Sequence, residues 1–163
     1  MNNKYRFLRR DSYVVDLGSA PGGFAAAVAK TVKLDDRARR WDQEGKRLVK
    51  RRITGRRRSR PFGKLVCVDV VDMAEIGGAS FIRGSLMDDD VEHRIGYALN
   101  GDEADVVLCD AAPSTTGNSE MDHIRCVDMA KAGLGVANAV LRNGGVFVVK
   151  VFRVRKKRNW LRL

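Results

Sequence analysis

Hydrophobic residues in this chain fall into short unbroken runs, separated by segments in which they recur at helical spacing. Ser12–Leu17, Lys64–Val71, Ser80–Gly84, Asp105–Asp110 and Val146–Phe152 are short, rich in valine and bounded by polar or glycine residues, so they predict five strands. Residues 22–33 form a small-residue run that suits a helix. In Asp88–Asn100 a cluster of acids opens a segment where Val91, Ile95 and Leu99 share one face; Asp88 to Asp90 therefore predict a helix start and not a metal cluster. Met121–Leu141 predicts a long helix that stops at Asn143-Gly144-Gly145. Residues 1–11 read as the end of a helix and a connector. Strands alternating with helices imply an α/β fold, a mostly parallel sheet and a ligand site at the carboxyl edge of the strands.

One stretch breaks the pattern. Residues 37–60 carry twelve Lys/Arg against two acids, and Arg153–Leu163 carries six bases and no acid, whereas residues 65–150 hold six bases against fourteen acids. An acidic body with two basic appendages, an insertion at about 34–61 and a tail at 153–163, is expected within a single domain of 163 residues. A polyanion is the natural partner. Nucleic acid suits the basic runs better than a membrane, because they lack an apolar face. No apolar run approaches the roughly 20 residues that span a bilayer, and nothing reads as a secretory signal, so a soluble protein is expected. Cys67, Cys109 and Cys126 lack metal-ligand spacing and read as buried reduced thiols. No metal is expected.

The candidate chemistry starts at VVDLGSAPGGF, residues 14–24, a strand running into a glycine-rich turn. The spacing of Gly18, Gly22 and Gly23 is neither the dinucleotide fingerprint nor a Walker loop. An acid followed by glycines at the end of a first strand suits a cofactor lying over the loop, and S-adenosylmethionine is such a cofactor. Pro21 fits a first helical turn, where its missing N–H costs nothing. Asp69, at the end of the second strand, is placed to accept hydrogen bonds from ribose hydroxyls once the insertion is discounted. Asp16, Asp69, Asp110 and Lys150 all fall at the same edge of the sheet. A lysine in VFVVKVF is unusual in a buried strand and calls for a partner; Asp110 is that partner if the fourth and fifth strands are neighbours.

These motifs together resemble the FtsJ/RrmJ-type ribose 2′-O-methyltransferases. VVDLGSAPGGF resembles that family's cofactor loop. VDVVDMAEIGGASFIRG, with Asp69, Met73 and Ile76, resembles its second and third strands. DVVLCDAAPSTTGN and DHIR at Asp122–Arg125 are similar to its fourth strand and following helix, and GGVFVVKVF to its fifth. The resemblance implies a Rossmann-like S-adenosylmethionine-dependent methyltransferase fold lacking its terminal strands. It implies methyl transfer to a ribose 2′-hydroxyl of large-subunit ribosomal RNA. Lys150 and Asp110 would be catalytic. Gly18, Ser19, Ala20, Pro21, Gly22, Gly23, Phe24, Asp69, Ser85 and Asp110 would bind the cofactor. Arg51, Arg52, Arg56, Arg57, Arg58 and Arg60 in the insertion, and Arg153, Arg155, Lys156 and Lys157 in the tail, would hold the RNA. Ser85 stands where the family usually has Asp, Ser114 where it has Asn, and Phe24 where Trp is commoner. Of the family's Lys-Asp-Lys-Glu tetrad only Asp110 and Lys150 fall within residues 1–163. The competing expectation is a catalytically degenerate member that binds RNA as a ribosome-assembly factor, with assembly proteins as further partners. An arginine-rich, cysteine-poor chain is compatible with mitochondria or a nucleolus; the resemblance to mitochondrial members of the family, which also carry extra residues between the first helix and second strand, implies mitochondria, with a nucleolar or cytoplasmic location as the alternative.

Overall fold

The computed structural model describes residues 5–34, 60–112 and 116–151. Five strands form one parallel sheet: β1 Tyr13–Leu17, β2 Lys64–Asp69, β3 Ala79–Arg83, β4 Ala104–Cys109 and β5 Leu141–Val149, in the order β3-β2-β1-β4-β5. Every residue of β1 and β4 is buried, as expected of central parallel strands covered on both faces. Among the described residues β5 is an edge of the sheet, as expected from the sequence.

The sheet reverses direction at β1. One excursion runs outward through α1 (Gly23–Ala29) to β2 and β3; the other returns through α2 (Val91–Ala98) to β4 and then through α3 (Ser119–Val140) to β5. Right-handed crossovers running in opposite directions put their helices on opposite faces. Alternation within the strands divides the core accordingly. Val14, Leu65, Cys67, Val106 and Leu108 pack with Ala25 and Val28 of α1. Val15, Leu17, Val66, Val68 and Val107 pack with Ile95 of α2 and Val136, Ala137 and Val140 of α3. The point of reversal lies between β1 and β4, and the carboxyl ends of the strands at such a point are the usual ligand position in open α/β sheets.

The structure corrects three expectations. Helix α1 ends at Ala29 instead of extending to Lys33, because the Lys33 N–H donates to the Arg10 carbonyl (2.8 Å) and Leu34 pairs with Gly63 beside the start of β2. The chain must leave the helix to make those bonds. Pro21 precedes α1, in a turn with a cis Ala20–Pro21 bond, and is not part of its first turn. The glycines at 144 and 145 do not stop α3, which ends at Val140 and passes directly into β5. Instead, the β4–β5 register jumps from Ala104↔Leu141 to Val106↔Val146, so Asn143-Gly144-Gly145 form an irregularity within the strand. Gly144 takes φ +73 there, and a Cβ on Gly145 would lie 2.8 Å from Leu141 Cδ2. Nearly all of the expected basic insertion and the whole tail from Arg153 lie outside the described residues.

Candidate active site at the carboxyl edge of the sheet

Backbone hydrogen bonds assemble the edge stepwise. The Gly18 and Ser19 amides donate to the Val68 carbonyl (2.8 and 3.2 Å), Asp110 N–H to the Leu17 carbonyl (3.0 Å), and Lys150 N–H to the Cys109 carbonyl (3.0 Å). The steps cross from β2 to β1, β4 and β5, so Asp69, Asp16, Asp110 and Lys150 line one rim. Lys150 Nζ lies 2.8 Å from Asp110 Oδ1, with the lysine side chain half exposed. The lysine thus reaches the rim and pairs with the expected acid.

Asp69 is fixed by two backbone amides, Ala20 N–H to Oδ2 and Val71 N–H to Oδ1, both at 2.9 Å. Each oxygen retains a lone pair for a ligand hydroxyl. Ser19 Oγ lies 3.2 Å from Met73 Sδ, which ties the loop to the segment after β2. Gly22 holds φ +112 with only the Met73 methyl within reach of a Cβ, and Phe24 stands partly exposed beside it. Ser85 Oγ accepts the Met87 amide (3.1 Å) while the Ser85 amide donates to Asp88 Oδ2 (2.8 Å). Asp88 therefore organises the turn after β3 and does not cap α2, whose N-cap is Asp90.

Two acids are more constrained than the sequence suggests. Asp16 is fully buried, and neither carboxylate oxygen accepts a hydrogen bond. Burial, then the charges of Asp110 and Asp69, push its carboxyl up to about 7. Asp122, in the first turn of α3, accepts the Thr116 amide (2.7 Å), the Thr116 hydroxyl (2.8 Å) and the Gly117 amide (3.3 Å). Those bonds, the Thr116 amide foremost, hold it below the usual carboxylate range. It anchors the end of the loop that leaves β4 after Asp110. Asp122 was conspicuous only as part of DHIR; nothing in its neighbours predicts the contact.

Arg60 requires a correction. It lies at the opposite, amino-terminal end of the strands, where its guanidinium binds Asp105 Oδ2 (2.8 Å) and stacks 3.7 Å from the centre of the Tyr13 ring. With 18% of its side chain exposed, Arg60 is committed to Asp105 and Tyr13, away from the rim that holds Asp110 and Lys150. Arg51, Arg52, Arg56, Arg57, Arg58, Arg153, Arg155, Lys156 and Lys157 lie outside the described residues, as does Ser114.

Gly18 is where the cofactor loop and the Asp110 strand touch. A Cβ there would sit 2.4 Å from Ala111 Cα, at a φ of +74. Gly18→Ala is expected to destabilise the fold by about 2 kcal/mol or more and to displace Asp110. Gly23→Ala, with nothing within 4 Å of the new Cβ and a helical position, is expected to leave the melting temperature unchanged or slightly raised. Thermal melts of the two variants side by side check the pair.

Comparison with known proteins bears on the same edge. The family model described as FtsJ-like methyltransferase matches residues 1–163. Proteins named ribosomal RNA large subunit methyltransferase E are similar to the chain. The one from Rhodopseudomonas palustris (strain HaA2) is 34% identical over 94% of this chain and 55% of its own length. That from Francisella tularensis subsp. novicida is 30% identical over 100% of this chain and 66% of its own. That from Methanothrix thermoacetophila is 36% identical over 94% and 48%. The chain thus spans between about half and two thirds of the length of these curated relatives. A crystal structure described as that of a ribosomal RNA methyltransferase from Plasmodium falciparum superposes with a TM-score of 0.70 at 21% identity, covering 97% of this chain and 76% of the other. An epimerase from Methanothermobacter thermautotrophicus superposes at 0.52 and 18% identity, over 90% of this chain and 37% of its own. Fold alone therefore does not select the chemistry.

Proposed function

The chain belongs to the FtsJ-like methyltransferase family, and from that premise we propose that it transfers a methyl group from S-adenosylmethionine to a ribose 2′-hydroxyl of ribosomal RNA, within an immature large subunit. The observation that carries this reading is the Lys150–Asp110 pair, 2.8 Å apart and partly exposed at the rim beside the glycine loop.

The residues present fit the cofactor. Gly18 and Gly22 hold backbone conformations with positive φ that keep side chains out of the loop. Asp69 is oriented by two amides with acceptor capacity left for two ribose hydroxyls. Asp16 is a buried carboxylate without a partner, a place where a cationic ligand relieves an electrostatic cost. When bound, S-adenosylmethionine supplies a methyl group whose bond to the sulfonium sulfur breaks, leaving the electron pair on sulfur, as the bond to the incoming oxygen forms.

The protein's task is alignment. Asp69 and the Gly18–Phe24 loop fix one reactant. The Lys150 ammonium, itself held by Asp110, donates to the substrate hydroxyl oxygen and directs its lone pair along the line of transfer. The hydroxyl proton leaves as or after the new bond forms, to water where Lys150 is an ammonium, or to Lys150 Nζ where it meets the substrate as the neutral amine.

The test is radiolabelled methyl transfer from S-adenosylmethionine to immature large-subunit RNA, with the product mapped to ribose or base. Label on a ribose 2′-oxygen supports the proposal. Label on a base, or no label together with tight binding of the same RNA, overturns it; the second outcome supports an RNA-binding assembly factor instead.

A further inference from the structure

Chemistry and RNA affinity make opposite electrostatic demands on this chain. The rim that carries Lys150 also carries Asp16, Asp69 and Asp110, and residues 65–150 hold six bases against fourteen acids. A phosphate backbone is repelled by such a surface, so the grip on a polyanion has to come from elsewhere. Residues 5–34 reverse the balance, with five bases against two acids.

Three of those bases, Arg10, Lys30 and Lys33, meet at the amino-terminal end of the sheet, on the α1 side. The Lys33 amide donates to the Arg10 carbonyl (2.8 Å), the Gly63 amide to the Lys33 carbonyl (2.7 Å) and the Lys64 amide to the Ser12 carbonyl (3.1 Å). The segment after α1 is thereby laced between the approaches to β1 and β2. A groove of about 480 Å³ opens beside it, lined by Arg10, Lys30, Thr31, Lys33, Leu34 and, from the approach to β3, Gly77. No acid is among its described lining residues. Arg10, Lys30 and Lys33 are exposed, and none of them forms an ion pair among the described residues. Lys33 Nζ lies 4.8 Å from the centre of the Phe62 ring, a contact that steadies the ammonium without neutralising it. Arg60, at the same end of the sheet, differs in having its charge met by Asp105.

We propose that this groove is a second RNA-holding surface, taking a stretch of phosphate backbone remote from the nucleotide at the rim. The proposal rests on the RNA-substrate reading above and adds to it where that substrate is gripped. Arginine and lysine on an open surface are the usual phosphate contacts, which position a nucleic acid without reading its sequence. The surrounding chain has the same character. Residues 35–59, which connect Leu34 to Arg60 and so start and finish at this end of the sheet, hold eleven Lys/Arg against four acids. Strands of five and six residues put the groove roughly 16–20 Å from the rim, beyond the Debye length of about 10 Å at 0.1 M salt. Phosphates in the groove are therefore screened from the rim acids, and only RNA long enough to reach from one end of the sheet to the other engages both.

The test is binding of immature large-subunit RNA to the native chain across about 0.05–0.3 M salt, compared with Arg10→Gln, Lys30→Gln, Lys33→Gln and the triple variant. Each single substitution is expected to make the slope of log affinity against log salt shallower by about 0.7 to 0.9, and the triple variant by about two to three. Affinity of the triple variant is expected to fall on the order of ten- to hundredfold at about 0.1 M salt. Methyl-transfer kinetics add a second readout: KM for the RNA rises in step, while kcat and the dissociation constant of S-adenosylmethionine stay as they were. Lys131→Gln, which removes an exposed charge from α3, serves as the control and is expected to leave the slope unchanged. The competing role for these side chains is to complement the carbonyl end of α1. An unchanged RNA affinity and slope in the triple variant, with or without a lower melting temperature, overturns the proposal, as does an equal change in Lys131→Gln. A shallower slope without methyl transfer by the native chain upholds the groove and removes the methyltransferase reading. No binding of the RNA by the native chain at low salt overturns both.

Discussion

Lys150→Ala is expected to lower the rate of methyl transfer by about 10²- to 10⁴-fold while barely changing cofactor affinity or melting temperature. The asymmetry follows from where the side chain lies. Half of it is exposed, and an ion pair so placed adds little to folding. Its backbone N–H, which joins β5 to the Cys109 carbonyl, survives the substitution. What is lost is the ammonium that Asp110 holds at the rim, positioned to meet a substrate hydroxyl. Lys150→Arg separates its two roles. Arginine keeps the charge and hydrogen bonds but does not give up a proton near neutrality, so retained turnover points to orientation and abolished turnover to proton acceptance. Asp110→Asn is expected to lower turnover through the same pair, since it removes the carboxylate that fixes the ammonium. Single-turnover rates alongside equilibrium cofactor binding check all three. A parallel collapse of affinity and melting temperature in Lys150→Ala would show that the lysine is structural.

The strands were legible because a parallel sheet buried on both faces turns sequence into continuous apolar runs, and four of the five runs are interrupted near the carboxyl end by an acid or a lysine. Asp69, Asp110 and Lys150 could therefore be placed on one edge before any coordinates, and the Lys150–Asp110 contact followed from making β4 and β5 neighbours. What the sequence hid depends on long-range partners. Gly144 and Gly145 carry the same signature whether they end a helix or permit a bulge, and the β4 register decides which. Arg60 is one more arginine in a basic run until Asp105, 45 residues away, binds it. The isolation of Asp16 arises from what surrounds it on β2, β4 and α1, none of it adjacent in the chain. Asp105 itself reads as a polar flank at the head of DVVLCD, yet three separate segments converge on it.

That convergence makes Asp105→Ala the substitution expected to harm stability most, by about 3 kcal/mol, or a fall in melting temperature of roughly 6 to 12 °C. The side chain is 5% exposed and accepts Tyr13 N–H (2.9 Å), Arg60 Nη1 (2.8 Å) and Arg142 Nε (2.6 Å), binding β1, the approach to β2 and the start of β5 to β4. Truncation strands two guanidinium groups and a buried amide, and water can reach Arg142 more readily than Arg60. Asp105→Asn, which can still accept the Tyr13 amide, is expected to lose less. The acid dependence carries a definite sign. Burial alone would raise the Asp105 carboxyl, but the Tyr13 amide and then the two arginines outweigh it and hold it below the usual range. A lowered carboxyl stabilises the fold above the ordinary aspartate range, and that contribution disappears as pH falls through its native value. The native chain is therefore expected to lose its advantage over Asp105→Asn on acidification below about pH 4, in denaturant melts taken across that range. Arg60→Ala completes the argument. If Arg60 serves the fold, the variant melts lower while the salt dependence of RNA binding stays as it was; if it grips phosphate, the slope of log affinity against log salt becomes shallower by about one and the melt is unmoved.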